Sequence, residues 1–132
     1  MSRPSRRIAW IAWATVALYV LVAVCLTHMP QPPDMIIEEV GDKKLHTAGY
    51  FLYAALIYTA AGLTWPRFRG LSLTVVLLLA LWAAADEITQ PYFGRSADVM
   101  DWRADMIGVI AAVVVLALLR FVAARRRTAA DQ

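Results

Sequence analysis

Apolar residues fall along this chain in four blocks, positions 8–29, 45–63, 71–90 and 106–124, with the charged residues gathered between and outside them. Each block is about 20 residues, the length an α-helix needs to cross a hydrocarbon core of about 30 Å. A soluble amphipathic helix would carry a polar stripe at helical period, and the middles of these blocks carry almost none. The pattern predicts an all-α polytopic membrane protein, a bundle of four transmembrane helices forming one domain over 1–132.

The breaks between blocks refine the picture. Pro30, Pro32 and Pro33 stop the first helix, Trp65-Pro66 the second, and Gly70 opens the third. Positions 34–41 mix Met35, Ile36 and Ile37 with Glu38 and Glu39, which leaves open a segment lying at the interface or a loop. Asp42 is placed to cap the second helix, and Asp42, His46 and Tyr50, spaced by four, share one of its faces. Positions 71–85 are too short to span alone, so the third helix must run on through Asp86-Glu87-Ile88-Thr89-Gln90 until Pro91 ends it. Asp86 and Glu87 then sit at the negative end of a helix dipole, which disfavours each carboxylate by about 0.3–1 kcal/mol. A cation should compensate: Lys43, Arg95, Arg103 or a metal ion. Asp101 and Asp105 share a face where the fourth helix begins and suit capping. Gly108, further along, lets a neighbouring helix approach closely. Beyond position 124 the chain is expected to fray.

Composition adds orientation. Of 132 residues 61% are hydrophobic, and the net charge is +3. Arg3, Arg6 and Arg7 precede the first block, Arg67 and Arg69 lie between the second and third, and Arg120, Arg125, Arg126 and Arg127 close the fourth. Only Lys43, Lys44, Arg95 and Arg103 fall in the other two connections. Cationic residues mark the cytoplasmic side, so both termini are expected inside, N-in and C-in, with every acidic residue except Asp131 on the outer side or at its edge. The first block has a basic start but is too long for the apolar core of a signal peptide. Cys25 is the single cysteine, which excludes an intrachain disulfide and a cysteine metal cluster. No basic groove or stacking platform accompanies the positive charge, so nucleic acid is not an expected partner. Membrane lipid is.

Four helices bring their outer ends together. That gathers Asp42, Lys43, His46, Tyr50, Asp86, Glu87, Gln90, Arg95, Asp98, Asp101 and Asp105 into one neighbourhood. Ionisable groups at the membrane rim are costly, and they commonly handle a substrate, an ion or a proton. His46, with Asp86 and Asp101, is the candidate acid–base or catalytic group. Lys43, Tyr50, Glu87, Gln90, Arg95 and Asp105 are candidate ligand-binding groups, with Lys43 and Arg95 placed to meet a phosphate. Asp86, Asp101 and Asp105 could hold a divalent cation. Each residue alone also has a plainer role: Lys43 pairing with Asp86 or Glu87, Asp42 and Asp101 capping, Tyr50 filling space. The cluster carries more charge than fixing helices requires. No P-loop, zinc-protease or Gly-x-Ser-x-Gly motif is present.

At these residues the chain resembles the VanZ-like family of small membrane proteins. The likeness rests on Asp42-Lys43-Lys44-Leu45-His46 with Tyr50, on Asp86-Glu87-Ile88-Thr89-Gln90, on Gly94-Arg95, and on Asp101-Trp102-Arg103-Ala104-Asp105-Met106-Ile107-Gly108. Asp105 departs from the family's pattern, which more often has Asn there. The resemblance implies a bacterial inner-membrane protein of the cell envelope, in a family linked with reduced susceptibility to the glycopeptide antibiotic teicoplanin. The residues leave three function classes open. One is a site for a phosphorylated lipid or glycolipid headgroup, with or without a reaction. The second is a small oligomeric transporter. The third is an envelope assembly or shielding protein without chemistry.

Overall fold

The computed structural model describes residues 6–28, 41–94 and 96–130. Four α-helices make up the described chain: α1 (Arg6–Thr27), α2 (Asp42–Thr64), α3 (Leu71–Thr89) and α4 (Val99–Ala130). A 3-10 turn, Gln90–Phe93, continues α3. No strand occurs among the described residues. The helices alternate in direction. α2 lies in the middle, packed on α1, α3 and α4 and most extensively on α4.

Small residues let the helices approach, Tyr53, Ile57, Leu71 and Leu79 fill the core between them, and large apolar side chains also cover the outside. Ala54, Ala60, Ala83, Val109 and Ala112 are fully buried, while Trp10, Leu18, Leu73, Leu81, Ile107 and Leu118 stand exposed. So large an apolar surface is untenable in water, and it is what a helix bundle offers to lipid. Three helical segments among the described residues are long and apolar enough to cross a membrane: Arg6–Thr27, Leu71–Phe93 and Val99–Ala129. α2, the fourth expected crossing, is not one of them, although its 23 residues give it the length. It carries Asp42, Lys43, Lys44 and His46 in its first turns. Seven of its residues, from Tyr50 to Ala61, are buried against its neighbours and do not face lipid.

Gly108 brings α2 and α4 together. A Cβ there would run into the carbonyl oxygen of Thr47 and stand 2.8 Å from the backbone nitrogen of Phe51. Only hydrogen at that position permits the contact. The Thr47 hydroxyl donates to the Ala104 carbonyl at 3.0 Å across the same seam.

The boundaries correct several expectations. Asp42 is the first helical residue of α2. The cap position belongs to Gly41, whose φ of 85° suits glycine, and no side chain caps it. α3 ends at Thr89, and Pro91 sits inside the 3-10 turn, whose first turn needs no proline N–H. α4 begins at Val99, seven residues before the apolar block, because Asp98 starts it. The Asp98 carboxylate accepts from the Met100 N–H at 2.8 Å, so Asp98, and not Asp101, fills the capping role. The helix runs on to Ala130 through Arg125, Arg126 and Arg127, where fraying was expected. Basic side chains at a helix C-terminus favour that extension by interacting with its dipole. The segment 34–40 and Arg95 lie outside the described residues.

The two ends of the bundle differ in chemistry. At one end the Trp13 indole donates to the Thr64 hydroxyl at 2.9 Å, and Arg120 donates to the Pro66 carbonyl at 2.8 Å while lying over the Tyr58 ring. At the other end meet the last turn of α1, the first turns of α2 and α4, and the end of α3.

Candidate functional site

At that second end the helices deliver polar groups in register. From α2 come Lys43 and His46, one turn apart. From α4 come Asp101 and Asp105, also one turn apart, facing them. α3 supplies Asp86 and Glu87 in its last turn, and the 3-10 turn supplies Gln90. Asp86, Glu87, Gln90, Asp101 and Asp105 are all buried, Asp105 completely.

His46 is the centre. Its Nδ1 lies 2.9 Å from Asp105 Oδ1. With the proton on Nδ1, this bond fixes the ring and leaves Nε2 as an acceptor. Nε2 faces Asp101 Oδ2 at 3.8 Å and Asp42 Oδ1 at 3.9 Å. Those separations are too long for hydrogen bonds but short enough for a shared proton donor, such as water, or a cation to lie between.

Lys43 closes the outer side. Its Nζ donates to Asp98 Oδ2 at 2.6 Å and also to Asp101 Oδ1. The sequence reading paired Lys43 with Asp86 or Glu87. The structure instead sends it across to α4, because the side chains of α2's first turn point at the first turn of its antiparallel partner. The hydrogen bond from Lys43, with a second from the Met100 N–H, holds the Asp98 carboxyl below the usual carboxylate range.

Glu87 joins the third helix to this group. Its Oε2 accepts the Asp98 backbone N–H at 2.9 Å, and its Oε1 accepts from the Gln90 amide at 3.3 Å. One donor atom each from His46, Glu87 and Asp105 lie within 4.8 Å of one another, and the same holds for Asp42, His46 and Asp101. Either set could hold a metal ion. The trio expected from the sequence, Asp86 with Asp101 and Asp105, is not brought together in this way.

Asp86 faces elsewhere. Its Oδ1 accepts from the Thr27 hydroxyl at 3.1 Å and lies 3.7 Å from His28 Nδ1. His28 in turn contacts the Thr89 hydroxyl through Nε2 at 3.0 Å and meets the Phe93 ring edge-on at 4.6 Å. The sequence reading overlooked Thr27, His28 and Thr89. A signal existed: His28 is one of only two histidines and ends the first apolar block on the side where the acidic residues gather. Tyr50 is buried one turn below His46, with its ring 6.0 Å from that of Tyr53. Arg95 lies outside the described residues.

The arrangement is strongly acidic for its setting. Among the described residues, Asp42, Asp86, Glu87, Asp98, Asp101 and Asp105 share it with Lys43, His28 and His46. Lys43 is already committed twice. Such a site can orient an imidazole for proton transfer, and it can accept a cation. An anion would need an added positive charge to enter.

The family model VanZ-LLP1, described as VanZ/LLP1, matches residues 14–120 of the chain. The match begins in α1, passes through every helix and takes in the whole polar cluster. Neither the curated proteins nor the solved structures contain a match to this chain.

Proposed function

The chain belongs to the VanZ/LLP1 family, and on that premise we propose that this membrane protein binds a phosphorylated lipid or glycolipid headgroup at the polar end of its bundle. In this reading all four helices cross the bacterial inner membrane, with both termini cytoplasmic and the polar end at the outer leaflet. Arginines 6, 7, 67, 69, 125, 126 and 127 lie at or beyond the opposite end of the helices, which supports that orientation. His46, oriented by Asp105, serves as the acid–base group if the headgroup is processed as well as bound. Lys43 lies at the edge of the group, bound to Asp98 and Asp101. An outer-leaflet site is consistent with a role in teicoplanin susceptibility, since that antibiotic carries a lipid tail and acts at the outer surface, but the reading does not require one.

One observation carries the proposal: Glu87 of α3 and Asp101 and Asp105 of α4, all buried, gather about the single imidazole of α2 at the rim, where an amphiphile's headgroup rests. The transporter alternative lacks comparable support. Along the middle of the bundle the Tyr58 and Ser72 hydroxyls are 3.3 Å apart, Thr15 bonds its own helix, and Thr59 and Thr74 face outward. Among the described residues, the buried polar atoms without a partner both lie at the rim.

The test is lipid analysis of the full chain purified in mild detergent. Wild type is expected to retain a phosphorylated amphiphile enriched over bulk lipid. His46→Ala should retain at least about tenfold less, a loss of about 1.4 kcal/mol of affinity, while keeping its helical content. Retention of bulk lipid alone, or equal retention by the variant, would reject the proposal.

A further inference from the structure

Two buried side-chain polar atoms among the described residues have no hydrogen-bond partner: Asp105 Oδ2 and Gln90 Oε1. Their residues are 0% and 1% exposed. With Asp105 ionised, both atoms are acceptors only, so what they lack is electropositive. Leaving such atoms bare is costly, and native proteins rarely do so without cause.

One orphan belongs to a residue of a converging set of metal donors, and the other to a residue hydrogen-bonded to a second member of that set. His46, Glu87 and Asp105 each offer one atom within a 4.8 Å circle. Ligands bound to one ion at about 2.0–2.2 Å stand about 3–4.4 Å from each other, so this set needs only a small contraction to close on an ion. The Gln90 amide nitrogen donates to Glu87 Oε1 at 3.3 Å, which ties Gln90 to one of these donors. The second donor set, Asp42, His46 and Asp101, is less suited. Lys43 already occupies Asp101, Asp42 is half open to solvent, and no orphan atom lies in that set.

We propose that His46, Glu87 and Asp105, with the amide oxygen of Gln90, bind one divalent cation. The donors are one imidazole nitrogen, two carboxylate oxygens and one amide oxygen. Oxygen predominance excludes a soft-metal site, and the imidazole favours a first-row ion of the Mn2+ type over Ca2+ or Mg2+. The 2.9 Å bond between His46 and Asp105 is the proton-bridged form of the same pair, and the ion competes with that proton. A cation here would give an otherwise acidic site its affinity for phosphate. The ion site deepens the headgroup reading but stands on the donor geometry without it.

The experiment uses the full chain in detergent with no lipid added. The protein is stripped with a chelator, equilibrated with Mn2+ and assayed for bound metal by mass spectrometry and electron paramagnetic resonance. Wild type should hold one Mn2+ per chain. Asp105→Asn and Glu87→Gln should each weaken binding by at least about tenfold, and Asp42→Asn should bind as wild type does. Absence of bound Mn2+ in wild type overturns the proposal whether or not the variants fold. So does loss in Asp42→Asn with retention in Asp105→Asn. Because no amphiphile is present, failure here leaves the headgroup test untouched.

Discussion

Lys43 bridges one exposed and one buried carboxylate, and the two arms differ in what they do. The Asp101 arm pairs a buried acid, and its loss would leave that acid without its cation. The Asp98 arm is solvent-facing and holds its carboxyl below the ordinary value of 3.8. A depressed folded value means that this contribution to stability is fully present above pH 3.8 and is lost as the pH falls through the lower folded value. Thermal unfolding in detergent, followed from neutral to acid pH, should therefore show Asp98→Asn less stable than wild type at neutral pH. The two should converge at the acid end. Parallel curves at all pH values would show that Lys43 does not set the Asp98 titration.

At the scale of elements, the α2–α4 seam controls the site, because His46 and Lys43 reach Asp105 and Asp101 only when those helices lie close. Gly108 sets that distance. Gly108→Ala should cost about 1–3 kcal/mol, the range for forcing a methyl group into a packed contact. The Thr47 carbonyl and Phe51 nitrogen are backbone atoms and cannot swing aside as a flexible side chain would. Equilibrium unfolding in mixed micelles would measure the loss. The variant should also weaken Mn2+ retention, since separating the helices spreads His46 from Asp105. An unchanged unfolding midpoint would show that the seam relaxes freely.

At the scale of the whole molecule, the large apolar outer surface and the contrast between the two ends define a membrane protein with polarity. The expected orientation puts the acidic rim outside and the basic tail inside. It can be checked in a background where Cys25, the single cysteine, is replaced by serine. Ser96→Cys, at an exposed rim position, should react with a membrane-impermeant maleimide in intact cells. Arg126→Cys, near the end of α4, should react only after lysis. The reverse pattern would invert the topology and place the polar cluster at the cytoplasmic face.

The sequence by itself determined the helices and the end of the bundle where its charges collect. Both follow from local physics: block length against bilayer thickness, and breaks at proline and glycine. The close approach at Gly108 was legible as well, since a missing side chain in an apolar helix has few other uses. Partner choice was not legible. Spacing put Lys43, His46, Asp86, Glu87, Asp101 and Asp105 in one neighbourhood, but helix rotation decides which of them touch. Only the tertiary packing turned Asp86 toward Thr27 and His28, sent Lys43 to Asp98 and Asp101, and left one oxygen each of Asp105 and Gln90 bare. A rotation of one residue about a helix axis, roughly 100°, leaves the apolar pattern of a membrane helix almost unchanged but exchanges every polar contact. That is why the architecture could be read from the chain while the wiring of its site could not.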